Sequence, residues 1–231
     1  MAIRILRYIN PKLIVVCAAS LLIFGCARSV EVLTQFPEPV MEPFPLTMGI
    51  RYPTELADFA HNEDPELSPE WTIKLGQANL RMFRALFNGM FTQTVELNNP
   101  DSENTTGEIT AGKSTPLTLD AIIEPSLEEV EFSVPEQSGN DQFTIWLRYN
   151  IRITTPEGEL ITDWRITGYG QEDEGSMGLG DETAMREAAV TALRDVAANI
   201  ATTFGSVPNI KRALLDQPNP FMEGTDSIAL P

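Results

Sequence analysis

The sequence predicts an α+β fold, a two-layer sandwich in which two amphipathic helices pack on one face of a mostly antiparallel sheet. Three observations carry this. Phe143, Ile145, Leu147, Tyr149, Ile151 and Ile153 occupy every second position, the period of a strand with one dry and one wet face. Trp71, Leu75, Ala78, Met82, Leu86 and Met90 recur at three- and four-residue steps, the period of a helix buried along one side. Met185, Ala189, Leu193, Val196, Ile200 and Phe204 repeat that pattern near the end. A chain of 231 residues, 42% hydrophobic, has room for one substantial domain with a real core.

The elements follow in chain order. Residues 44–52, FPLTMGIRY, alternate well enough for a first strand, which Pro53 ends. Residues 55–69 are polar, contain His61 and two prolines, and read as a loop. Ser68 then stands as an N-cap, with Pro69 in the first turn of the helix that continues through Trp71. Residues 92–97 make a short strand leaving that helix, and 98–116 a polar loop whose acids do not fall at calcium-loop spacing. Residues 117–134 hold two apolar runs parted by Pro125, where a ladder loses a donor, so an interrupted strand is expected.

Thr155, Pro156, Glu157 and Gly158 suit a tight turn after the alternating strand. Residues 160–169 return antiparallel to it, with Leu160, Trp164 and Ile166 facing inward. Residues 171–182, acidic and glycine-containing, form a loop, and Asp181 or Thr183 caps the closing helix, whose alanines let a backbone sit close to a sheet. Gly205 and Pro208 stop it, and residues 210–215 add a turn or short helix.

Charge limits the function. With 33 Asp and Glu against 16 Lys and Arg the chain carries −17, which excludes the usual nucleic-acid binder, because an acidic surface is repelled by phosphate. The sum hides two opposite parts. Residues 1–25 contain Arg4, Arg7 and Lys12 and no acid; removing those three charges leaves −20 on the rest. A cationic start followed by the apolar run 13–25, LIVVCAASLLIFG, reads as a secretory signal and falls short of the roughly 20 residues a membrane span needs.

That run ends on Gly25 and Cys26. Leu22, Ile23, Phe24 and Gly25 before Cys26 resemble the processing site of bacterial lipoproteins, although Phe24 stands where a small residue is usual. The resemblance implies cleavage after Gly25, acylation of Cys26, and membrane attachment through an N-terminal lipid. Ala27, where aspartate would hold such a protein in the inner membrane, implies the periplasmic face of the outer membrane. The competing reading of Cys26 is a buried or chance cysteine at the end of an uncleaved anchor. The expected organisation is a signal peptide at 1–25, a lipid-anchored tether at 26–43, a single α+β domain at 44–215 and a flexible tail at 216–231. Pro37, Pro39 and Pro43 keep the tether extended, a leash that sets the domain off the bilayer.

Catalytic parts are scarce. One histidine, His61, and no cysteine beyond Cys17 and Cys26 leave Ser-His and Cys-His nucleophilic sets incomplete, and neither a three-histidine zinc site nor HExxH is present. Glu128, Glu129 and Glu131, and the run Glu172, Asp173, Glu174, read as solvated acids, because acid catalysis needs burial to raise a pKa. No metal, no cofactor and no enzymatic activity are expected. The wet face of the hairpin stands out instead: Trp146, Arg148, Arg152, Arg165 and Tyr169 gather aromatic and cationic groups of the kind that dominate interfaces. The competing reading is a solvated face of cross-strand pairs, arginine against Asp163 or Glu159.

In its signal, its helix at 71–91, its hairpin at 143–169 and its closing helix ending IATTF, the chain resembles Gram-negative outer-membrane lipoproteins. In layout it is similar to ABC-type transport auxiliary lipoproteins and to the lipopolysaccharide-assembly lipoprotein that plugs an outer-membrane barrel. The resemblance implies a non-catalytic accessory or binding subunit of an envelope assembly or transport complex, with an envelope protein as partner. The alternative is a lipid or lipopolysaccharide handling protein with an apolar cleft between helix and sheet.

Overall fold

A computed structural model describes residues 27–65, 68–97, 118–175 and 180–216. Gly25 and Cys26, the signal, the polar loop at 98–116 and the tail beyond Asp216 lie outside the described residues. The elements are β1 (Arg28–Glu31), β2 (Phe44–Arg51), α1 (Thr54–Ala57), β3 (Ala60–Glu63), β4 (Trp71–Lys74), α2 (Gly76–Met90), β5 (Phe91–Leu97), β6 (Ala121–Ser133), α3 (Pro135–Ser138), β7 (Gln142–Thr154), β8 (Leu160–Asp173) and α4 (Asp181–Thr203). Short helical turns at Phe204–Ser206, Pro208–Ile210 and Lys211–Leu215 follow.

The strict alternation of β7 seats it inside a five-stranded sheet of order β5-β2-β6-β7-β8, with all six of its predicted inner residues buried. β6, β7 and β8 run antiparallel, as expected. β5 and β6 both pair parallel with β2. For β5 the reason is the crossover: the chain leaves β2, passes through α1, the β3-β4 hairpin and α2, and re-enters the sheet beside β2 in the same direction. The α+β class holds, with α2 and α4 on the inner face, and a second sheet of order β1-β4-β3 adjoins them.

That second sheet corrects three expectations. Residues 55–69 are not all loop, since α1 runs into them as far as Ala57 and β3 lies within them. Residues 71–74 are a strand rather than the first helical turn: Trp71 and Ile73 are buried while Thr72 and Lys74 are not, and β3 pairs antiparallel with them. Trp71 fits both a two-residue and a four-residue step, so periodicity alone did not separate the two. Ser68 caps nothing; its Oγ accepts a hydrogen bond from Trp71 Nε1 at 3.2 Å, and the helix starts at Gly76. Only glycine fits there, because a Cβ would run into the Ala57 carbonyl.

The tether is extended but not free. β1 pairs parallel with β4, Val30 and Val32 are fully buried, and Arg186 Nε donates to the Glu31 carbonyl at 3.1 Å. Residues 36–39 then cross the seam between α2 and α4, with Pro39 seated on Gly89. Val30, Val32 and Phe36 are spaced like inward residues of a strand, and burying them outweighs keeping the segment solvated.

Three smaller differences have local causes. β6 runs unbroken through Pro125, because pairing with β2 ends at Ile123 and leaves the proline with a single neighbouring strand, β7. Leu160 faces solvent, since the register shifts at the start of β8, while Trp164 is half-buried and Ile166 buried. α4 has Gly180 at its N-cap and no side-chain cap; Asp181 pairs with Arg28 instead.

α4 lies unusually close to β8. Gly168 and Gly170 face Ala188, Ala192 and Val196, and a Cβ at Gly170 would meet the Ala188 carbonyl and come within 2.5 Å of Ala192 N. Among the described residues, the layer between helices and sheet contains a buried polar connection. Tyr149 Oη donates to Asn79 Oδ1 at 2.5 Å, and Asn79 Nδ2 donates to the Leu56 carbonyl at 3.4 Å, which ties β7, α2 and α1 together.

Burial pushes the Tyr149 phenol far above its ordinary range, and burial followed by the neighbouring Glu96 carboxylate does the same to Tyr52. A phenol whose proton is retained in the folded state contributes full stability below the unfolded value near pH 10, and that contribution is lost as pH rises past it. The guanidinium midpoint, followed by circular dichroism, is therefore expected to stay level from pH 7 to 9 and fall beyond about pH 10. Tyr149→Phe removes part of that fall; an identical slope in the variant refutes the assignment.

Candidate functional site

The outer face of β6, β7 and β8 is built by alternation and register. β7 turns Trp146, Arg148, Asn150 and Arg152 away from the core. Pairing with β8 sets Tyr169 opposite Trp146, Thr167 opposite Arg148, Arg165 opposite Asn150 and Asp163 opposite Arg152. All five residues singled out in the sequence share this face. Trp146 and Tyr169 are 53% and 40% exposed, with ring centroids 5.7 Å apart at 72°, an edge contact between two large side chains left open to solvent. Tyr169 Oη donates to Gln171 Oε1 at 2.8 Å.

β6 supplies the acids that meet Arg148 and Arg165. Its register shifts between Leu127 and Glu129, and the extra residue, Glu128, leans across the sheet. Glu128 Oε2 lies 3.1 Å from Arg165 Nε and 3.7 Å from Arg148 Nε, while Glu129 pairs directly with Arg148. Arg152 Nε lies 3.0 Å from Asp163 Oδ1. The Arg152 guanidinium, and after it the Asn150 amide, hold the Asp163 carboxyl below its ordinary range. The expected Arg152 to Asp163 pair is present; Glu159 pairs with none of these arginines.

The reading of a solvated face of cross-strand pairs therefore holds for Arg152 and Asp163. The three arginines are matched by Glu128, Glu129 and Asp163, so the face presents no net positive field and is not an anion site. What remains is an aromatic pair beside a preformed polar lattice. A hollow of about 150 Å³ opens there, between Trp146, Arg148, Thr167, Glu129 and Glu131. The part of the lattice made by Glu128 and Glu129 is not legible in the sequence, because a bulge at Glu128 leaves no mark on a polar run.

His61 is not in a loop. It sits on β3, Nε2 lies 2.9 Å from Glu63 Oε2, and its ring meets Phe132 edge-on at 5.8 Å. Among the described residues no group of three or more His, Cys, Asp or Glu side chains is placed to hold a metal, and no helix is long and apolar enough to cross a membrane.

A second hollow, about 310 Å³ and almost wholly apolar, lies between α2 and α4 beneath residues 36–39. Phe36, Pro39, Met82, Leu86, Ala197 and Ala201 line it. It is not the expected cleft between helix and sheet, since that interface is filled by side chains.

No family model matches the chain, and no curated protein matches it in sequence. Among solved structures it is similar to a protein from Xanthomonas campestris assigned to the DUF330 family, with 11% identity, 76% of this chain and 91% of that one covered, and a TM-score of 0.45. It is also similar to a minor lipoprotein from Acinetobacter baumannii, with 9% identity, 77% and 100% covered, and a TM-score of 0.41. A hypothetical protein from Chlamydia trachomatis shows 13% identity, 68% and 96% covered, and a TM-score of 0.36.

Proposed function

We propose that the chain is a lipoprotein anchored through Cys26 on the periplasmic face of the outer membrane, and that it acts as a non-catalytic binding subunit of an envelope assembly or transport complex. The observation that carries the binding role is the exposed Trp146 and Tyr169 pair set among arginines that already have partners. Aromatic anchors ringed by satisfied polar groups are the usual centre of a protein interface. The signal-like run ending at Gly25 and Cys26 supports the anchor.

The double variant Trp146→Ala, Tyr169→Ala is expected to cost at least about 2 kcal/mol of partner affinity, roughly thirtyfold, with the melting temperature nearly unchanged because both side chains lie outside the core. Quantitative co-purification from detergent-solubilised envelopes checks it, and undiminished recovery of the same envelope protein would count against this face. For the anchor, Cys26→Ala is expected to remove the acyl mass at the N-terminus and release the chain from outer-membrane fractions on a density gradient. Continued co-sedimentation of the variant would refute lipid attachment at that residue.

The apolar hollow between α2 and α4 favours a second reading, in which the protein handles an acyl chain. Native mass spectrometry of the domain lacking residues 1–26 separates the two. Co-purifying phospholipid that is displaced by Ala197→Trp supports the lipid reading, and an unloaded domain supports the binding subunit.

A further inference from the structure

The position of β1 bears on how the anchored domain meets the bilayer. β1 begins at Arg28, and its backbone N–H donates to the Glu70 carbonyl at 2.7 Å. The Arg28 guanidinium pairs with Asp181 at the start of α4 and lies 5.1 Å over the Trp71 ring. Val30, two residues on, is fully buried. Ala27 alone separates this lock from Cys26. Two residues reach about 7 Å at full extension, which is no more than the thickness of one headgroup layer.

We propose that the acylated chain has no leash, and that the domain sits directly on the bilayer by the end carrying Arg28, Glu70 and the start of α4. This rests on the lipid anchor proposed above and adds the orientation of the domain and the place of its partner. Strand ends of both sheets meet at this end. Glu63 pairs with Trp71 in register, Trp71 packs on Phe132 and Phe143 at 6.3 and 6.0 Å, and Glu174 N–H donates to the Asp141 carbonyl at 2.7 Å. β7 starts at this end and runs away from it, so the turn at 155–158 stands at most roughly 40 Å above the headgroups. Trp146, four residues into β7, lies at most about 13 Å above them. A partner that covers Trp146 and Tyr169 therefore approaches close to the membrane surface, as the periplasmic rim of an integral membrane protein does.

Charge does not hold this end down. Asp181 and Glu182 lie beside Arg28, whose amide bonds to Glu70, and Asp173 and Glu174 close the same end at the finish of β8, so a bilayer with anionic lipid repels such a surface. The seat depends on the covalent lipid and on the shortness of the connection. The protein lacking residues 1–26 is accordingly expected not to bind vesicles at any ionic strength.

The test uses the full lipidated chain in vesicles of phosphatidylethanolamine and phosphatidylglycerol at three to one, with a fluorophore on Glu182→Cys or on Glu157→Cys. Both positions are exposed, at opposite ends of the fold. A headgroup-borne quencher is expected to quench the label at 182 at least threefold more than the label at 157. Ten Gly and Ser residues inserted between Ala27 and Arg28 are expected to abolish the contrast. Equal quenching in a chain whose acyl mass is confirmed overturns the flush seating and leaves the anchor standing. Absence of the acyl mass at Cys26 overturns the anchor and the seating together.

Discussion

Gly170→Ala is expected to lower the stability of the domain by about 3 kcal/mol, a shift of the melting temperature on the order of 10 °C, the upper range for overpacking. The added methyl meets the Ala188 carbonyl and the Ala192 amide, which are backbone atoms of α4 and have no rotamer to yield. The helix must lift, and with it go contacts of Met185, Ala189 and Leu193, all fully buried. Gly158→Ala is the control. Its Cβ has nothing within 4 Å, so only the left-handed conformation at φ 94° is penalised, by about 1 kcal/mol. Thermal melts of the two variants distinguish a packing cost from a conformational one, and a Gly170→Ala protein that melts with the parent would show that α4 stands further from β8.

Tyr149→Phe is expected to cost about 2 kcal/mol, because the loss of one hydroxyl leaves Asn79 Oδ1 buried without a donor. The energetic weight lies in the orphaned partner rather than in the bond itself. Asn79→Leu combined with Tyr149→Phe is therefore expected to recover part of the loss, since two apolar groups facing each other leave less polarity unsatisfied. A double-mutant cycle by denaturant unfolding measures the coupling, and strictly additive single effects would show that the two side chains do not depend on each other.

The outer face of β6, β7 and β8 was legible in part. Trp146, Arg148 and Arg152 declare their side of the sheet because β7 is long and its opposite face is uniformly apolar. Arg165 and Tyr169 follow once the turn at 155–158 sets the hairpin. The partners of those arginines were less visible. Asp163 lies in the same hairpin and was found; Glu128 and Glu129 come from β6, across a bulge, and read along the chain as an acidic run like any other.

The closing helix shows the same division. Its alanines announced a close approach to a sheet, but the matching Gly168 and Gly170 became meaningful only with Ala188 and Ala192 set against them. At the other end, Val30 and Val32 were hidden in a proline-rich segment that looked like a spacer, and the strand they form has its partner more than forty residues away, at Trp71 to Lys74.

By itself, then, the sequence determined the two buried helices, the long hairpin with its dry and wet faces, the acidic exterior and the lipoprotein-like start, because burial imposes a period that each element writes into its own residues. Tertiary structure alone decided that β5 and β6 run parallel to β2, that the tether becomes a strand, and that Arg148 and Arg165 of the outer face are already neutralised by β6. Those outcomes depend on which distant segments meet. A strand's period states which face is dry and is silent about its neighbour, so the pairing of β1 with β4, and with it the start of the folded domain at Arg28, appears only when the chain is assembled.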